Sequence, residues 1–87
     1  MTDLETIRLA HQASGATVTE LSELSGIARA RLGEWLSRAN PEAKPRVTIY
    51  KPPSAEDVRA VVEASALCVK RHSEAISGLL AGLDKPA

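Results

Sequence analysis

The stretch Thr17–Leu36, TVTELSELSGIARARLGEWL, constrains the fold more than any other part of the chain. Val18, Leu21 and Leu24 recur at intervals of three, which places them along one side of a short helix. Gly26 falls where that helix has to stop and the chain has to turn sharply, a position that often needs a positive φ. Ile27 then plugs the gap between two helices, and Leu32, Trp35 and Leu36 supply the buried stripe of the second. Two short helices held at a steep angle leave the second one projecting from the body, here with Arg29 and Arg31 near its start.

This run resembles the helix-turn-helix of bacterial and phage transcription regulators. In that family the turn reads glycine, an aliphatic residue, a short polar run, a second aliphatic five positions on, and a Trp or Ile three beyond. Gly26, Ile27, Ala28-Arg29-Ala30-Arg31, Leu32 and Trp35 match those positions, and Ser22 matches the small residue where the two helices touch. One departure stands out. The family has Ser or Thr capping the second helix where this chain has Ala28, a loss of roughly 1 kcal/mol. The resemblance implies a recognition helix for the DNA major groove. Its exposed face is expected to carry Arg29, Arg31, Gly33, Glu34 and Ser37, with Ala28 and Ala30 set to meet thymine methyls. Arg38, Lys44, Arg46 and Lys51 are expected on phosphates.

The formal net charge is zero, which argues against nucleic acid until it is resolved along the chain. Residues 1–26 carry −3, residues 27–53 carry +4, and residues 54–87 carry −1. The positive charge is concentrated on the proposed recognition helix and the segment after it, an electrostatic footprint of modest size. A solvated basic loop is the competing reading.

Three parts are expected. Residues 1–40 form a three-helix body: Thr2 and Glu5 have capping-box spacing before a helix from about Asp3 to Ser14, with Leu4, Ile7 and His11 along one stripe and Gly15 ending it. Thr17 and Glu20 repeat the pattern for a second helix ending at Ser25-Gly26, and a third runs from about Arg29 to Arg38, before Asn40-Pro41. Residues 41–53 hold four of the five prolines and the only strand-like alternation, Arg46–Lys51. A single strand cannot satisfy its own backbone, so Val47 and Ile49 are expected to pair with the same strand of a second subunit. An extended arm of polyproline character is the alternative.

Ser54 caps a final helix expected to run to about Ala81, with Glu56 and Asp57 complementing its positive end. Val58, Val62, Ser65, Val69, His72, Ile76, Leu79 and Leu83 alternate spacings of four and three, a heptad seam. Val61, Cys68 and Ala75 flank it and would let a partner helix approach. In 87 residues there is little chain left to cover so long a helix, so homodimerisation through the seam is expected. The alternative is a helix packed wholly on its own body. The fold class expected is therefore mainly α, with one short strand, as one small domain overall.

Other chemistry finds little support. Cys68 and His72 are four apart and can form the edge of a metal site, but two ligands do not make one. His72 is expected instead as a buried or partly buried polar residue that sets register. No nucleophile triad, phosphate loop or carboxylate pair stands in context, so no enzyme, cofactor, metal or small-molecule ligand is expected. Phe is absent, which disfavours a base-stacking surface. A single cysteine and an acidic Met1–Glu5 fit a cytoplasmic location, and no apolar run reaches membrane-spanning length. The expected function is sequence-specific binding of double-stranded DNA as a homodimeric regulator, a repressor on an inverted repeat like those of phages and plasmids. Two alternatives remain open: a protein-binding adaptor or inhibitor, and a DNA-recognition subunit of a phage packaging or transposition complex.

Overall fold

Three of the four helices among the described residues start where a side chain closes the first turn. The computed structural model describes residues 2–42 and 51–83, in four helices: α1 (Asp3–Ser14), α2 (Val18–Ser25), α3 (Arg29–Ala39) and α4 (Ala55–Leu83). Thr2 Oγ1 accepts the Glu5 N–H at 3.2 Å while the Glu5 carboxylate accepts the Thr2 N–H at 3.2 Å. Thr17 and Glu20 repeat this reciprocal cap at 3.1 and 3.2 Å. At α4 the pair is Ser54 and Asp57, at 3.1 and 2.9 Å, and the backbone N–H of Ser54 holds the Asp57 carboxyl below the usual range. Each such cap satisfies two N–H groups that a helix end leaves open. Gly15 and Gly26, with φ of 66° and 77°, end α1 and α2 in the left-handed region.

α1 and α2 each pack against both α3 and α4. Ile7, Leu21, Leu32, Trp35, Val61 and Cys68 are fully enclosed, with Ala16 in the α1–α2 turn and Ala64 completing the cluster. Full burial of one such aliphatic side chain contributes about 1.5–3 kcal/mol. Ser65 is also buried, and its hydroxyl donates to the Val61 carbonyl at 2.8 Å, so it enters the core without an orphaned polar group.

The expected helices are observed, and α4 extends two residues beyond the expected end, to Leu83. Its packing differs from expectation. The face set on the body is Val61, Ala64, Ser65 and Cys68, so Val61 and Cys68 lie at the centre of the contact instead of flanking it. Val62 and Val69 lie on the outer edge and are exposed, as are Ile76, Leu79 and Leu83. The reason is length. A 29-residue helix is about 43 Å long, whereas helices of 8–12 residues span about 12–18 Å, so the body cannot cover the last turns of α4. From Val69 to Leu83 every residue is exposed. Of the strand expected over Arg46–Lys51, Val47 and Ile49 lie outside the described residues, and Lys51 belongs to no helix or strand.

Candidate nucleic-acid interface

α3 is amphipathic because its large apolar residues recur at intervals of three and four. Leu32 and Trp35 are enclosed and Leu36 packs against the core, whereas Ala28, Arg29, Ala30 and Arg31 are exposed. The turn before it is fixed by short bonds. The Gly26 N–H donates to the Ser22 carbonyl at 3.0 Å, and the Ile27 N–H to Ser25 Oγ at 3.2 Å. Ser22 Oγ in turn donates to the Ile27 carbonyl at 2.7 Å. A small hydroxyl at Ser22 therefore lets α2 approach the turn and locks it there.

Ala28 gives α3 no side-chain cap, as its sequence implies. Its backbone, at φ −58° and ψ 136°, is nonetheless extended in the way a capping residue requires. The guanidinium of Arg29 lies 3.4 Å from Thr19 Oγ1, a long contact made by an exposed side chain. Gly33, Glu34 and Ser37, expected on the outward face, are half-buried. Arg38 differs more clearly from expectation. Its side chain is only 13% exposed, and its Nε donates to Glu34 Oε1 at 2.8 Å. The i,i+4 spacing brings this pair together. Lys44 and Arg46 lie outside the described residues.

Lys51 is brought to α3 by a bond that sequence spacing did not announce. The enclosed indole of Trp35 donates through Nε1 to the Lys51 carbonyl at 2.8 Å. This satisfies a buried donor and leaves the Lys51 side chain exposed. Arg31 and Lys51 both lie close enough to Asp57 to lower its carboxyl further. Arg31 and Lys51 thus share the side of α3 next to Asp57, whereas Arg29 is turned towards Thr19 of α2.

A second group of side chains meets on the other side of α2. Glu20 Oε2 lies 3.2 Å from Cys68 Sγ and 3.0 Å from His72 Nε2, and Sγ and Nε2 are 3.6 Å apart. Bonds from the Cys68 thiol, the Thr17 N–H and His72, in that order, lower the Glu20 carboxyl to about 2. Burial, followed by the neighbouring Glu20, pushes the Cys68 thiol up. His72 was expected as a buried or partly buried residue on the seam; its side chain is 50% exposed and meets Glu20 of α2 at the edge of the body. Cys68 and His72 were visible as a pair in the sequence. Glu20 was not, since 48 residues separate it from Cys68 and its capping role already accounts for it.

Among the described residues no helix is long and apolar enough to cross a membrane. No protein-family model, curated protein or solved structure matches the chain.

Proposed function

We propose that this chain is a small sequence-specific binder of double-stranded DNA, acting as a homodimeric transcription regulator. The observation behind it is the division of α3: Leu32 and Trp35 hold it to the body while Ala28, Arg29, Ala30 and Arg31 are exposed. The small Ala28 and Ala30 beside the arginines let a helix sink close to base edges, and arginine offers guanine a bidentate donor pair. The open first turn of α3 suits a phosphate oxygen, because unsatisfied N–H groups and the helix dipole both favour an anion there. Lys51 supports the same face as a phosphate contact, and Arg38 is paired with Glu34 along α3.

The homodimer forms through the free half of α4. Ile76, Leu79, Leu80 and Leu83 are all more than half exposed, an apolar density that a lone chain has no reason to keep in water. Two heads joined this way read two half-sites of an inverted repeat about 34 Å apart, or a multiple of that. A dimer seated on such a repeat would block a promoter by occupying it, and we assign it as a repressor of the phage or plasmid kind. The same apolar stripe is what an adaptor would offer a different protein.

Repeated selection from a pool of randomised duplexes tests the reading. An enriched inverted repeat, bound by a dimer in a salt-dependent way, supports it. A pool that stays random after many rounds, from protein that is folded and dimeric, contradicts it and favours the adaptor.

A further inference from the structure

The cluster of Glu20, Cys68 and His72 plays no part in the reading above. Its three ligand atoms are of three kinds, a carboxylate oxygen, a sulfur and an imidazole nitrogen, and all lie within 4.8 Å of one another. We propose that these residues form an intramolecular site for one divalent transition-metal ion of borderline softness, zinc foremost, with a fourth position open to solvent.

The spacing of the ligand atoms is the first argument. Around a tetrahedral zinc with ordinary bond lengths, sulfur and nitrogen stand about 3.6 Å apart, sulfur and oxygen about 3.5 Å, nitrogen and oxygen about 3.3 Å. The observed separations are 3.6, 3.2 and 3.0 Å, so adjustments of a few tenths of an ångström admit the ion. The second argument is prior orientation. Glu20 Oε1 is held by the Thr17 N–H and hydroxyl, each at 3.2 Å, which leaves Oε2 turned towards Cys68 and His72. A ligating carboxylate anchored through its other oxygen is the usual support around bound metals. Cys68 and His72 stand one helical turn apart on α4, which fixes their separation.

Charge and access agree with this. A thiolate and a carboxylate neutralise a dication, and a neutral imidazole completes the set. Cys68 closes the inner side of the site, whereas the half-exposed His72 and the part-exposed Glu20 leave an entry path from solvent. Without metal, the thiol and the imidazole can both donate to Glu20 Oε2. On binding, the metal–sulfur bond forms as the thiol proton leaves to solvent, so about one proton is released per ion and affinity rises with pH. The ion joins α2 to α4.

Titration of the reduced full-length protein with cobalt(II), followed by zinc, tests the proposal. The expected result is one ion per chain, a thiolate-to-cobalt charge-transfer band, the strong visible bands of four-coordinate cobalt, and displacement by zinc with a higher melting temperature. Cys68→Ser should abolish the charge-transfer band. Glu20→Gln keeps a capping residue, and His72→Ala removes an exposed side chain, so both should fold and bind at least tenfold more weakly. Absence of the charge-transfer band at stoichiometric cobalt overturns the site. So does affinity unchanged in His72→Ala, or a stoichiometry of one ion per two chains. None of these readouts involves DNA, so the site can stand or fall without the regulator reading.

Discussion

Replacing Leu79 and Leu83 together by Gln should dissolve the proposed dimer and leave the single chain folded. The two side chains are 71% and 80% exposed, so the isolated protomer loses almost no buried contact when they change. Gln forms helix about as well as Leu, which preserves α4. In a dimer the same positions should be covered. Burying the exposed three-quarters of a leucine is worth about 1.5 kcal/mol, and two residues on two protomers give about 6 kcal/mol. At 1.4 kcal/mol per tenfold, the dimer should weaken by about four powers of ten. Ile76 and Leu80, 59% and 58% exposed, contribute on the same scale. Together the four residues give about 12 kcal/mol against an association cost of at least about 4 kcal/mol, so the native dimer should have a dissociation constant of about micromolar or weaker. Sedimentation equilibrium across that range measures both proteins, and circular dichroism checks the helix. A native protein that stays monomeric at the highest concentration, or a double variant as dimeric as the native, refutes this reasoning. A double variant that unfolds also counts against it, because these side chains would then be packed within one chain.

Three further predictions concern the body. Ala28→Ser should stabilise the fold by about 0.5–1 kcal/mol, since residue 28 already has an extended backbone and lacks only the hydroxyl; an unchanged melting temperature contradicts this. Gly26→Ala should cost about 1–2 kcal/mol although no atom crowds the new methyl, because φ of 77° strains any L side chain. Urea unfolding measures it, and a neutral substitution denies the strain. The Glu20 carboxyl is lowered from 4.5 to about 2, so the stability it contributes is complete above about pH 4.5 and is lost as pH falls towards 2. Glu20→Gln should flatten that part of the curve, and parallel curves for the two proteins would show that the cluster does not hold the carboxylate charged.

Local signals in the sequence carry further than tertiary ones. Thr2, Thr17, Gly15 and Gly26 mark helix ends because a cap needs only residues within three or four positions, and the structure has all four in those roles. The inner face of α3 was legible for the same reason: period alone separates Leu32 and Trp35 from Arg29 and Arg31. The packing of α4 was not. Its apolar stripe is wide enough that the heptad rows and the row Val61, Ala64, Ser65 and Cys68 lie side by side. Which edge meets the body depends on how α1 and α2 are placed, and no spacing within α4 records that. The small residues Ala64 and Ser65, which permit close approach, were the available signal. Arg38 was expected on phosphate; its i,i+4 spacing from Glu34 permits the pair, but spacing alone does not say whether the pair forms. Trp35 with Lys51, and Glu20 with Cys68 and His72, meet across 16, 48 and 52 residues, beyond the reach of any periodicity.

If the exposed face of α3 reads base pairs, Arg29 and Arg31 carry the readout. Anisotropy titrations should compare native protein, Arg29→Ala and Arg31→Ala on the selected inverted repeat and on a scrambled duplex at one salt concentration. Both side chains are exposed, so neither substitution should disturb the fold or the dimer. An arginine that reads a base should cost about 1–3 kcal/mol per half-site on the repeat, with a much smaller loss on the scrambled duplex. If both variants bind the repeat and the scrambled duplex as the native protein does, α3 is not the recognition helix and the account of this chain as a DNA reader is wrong.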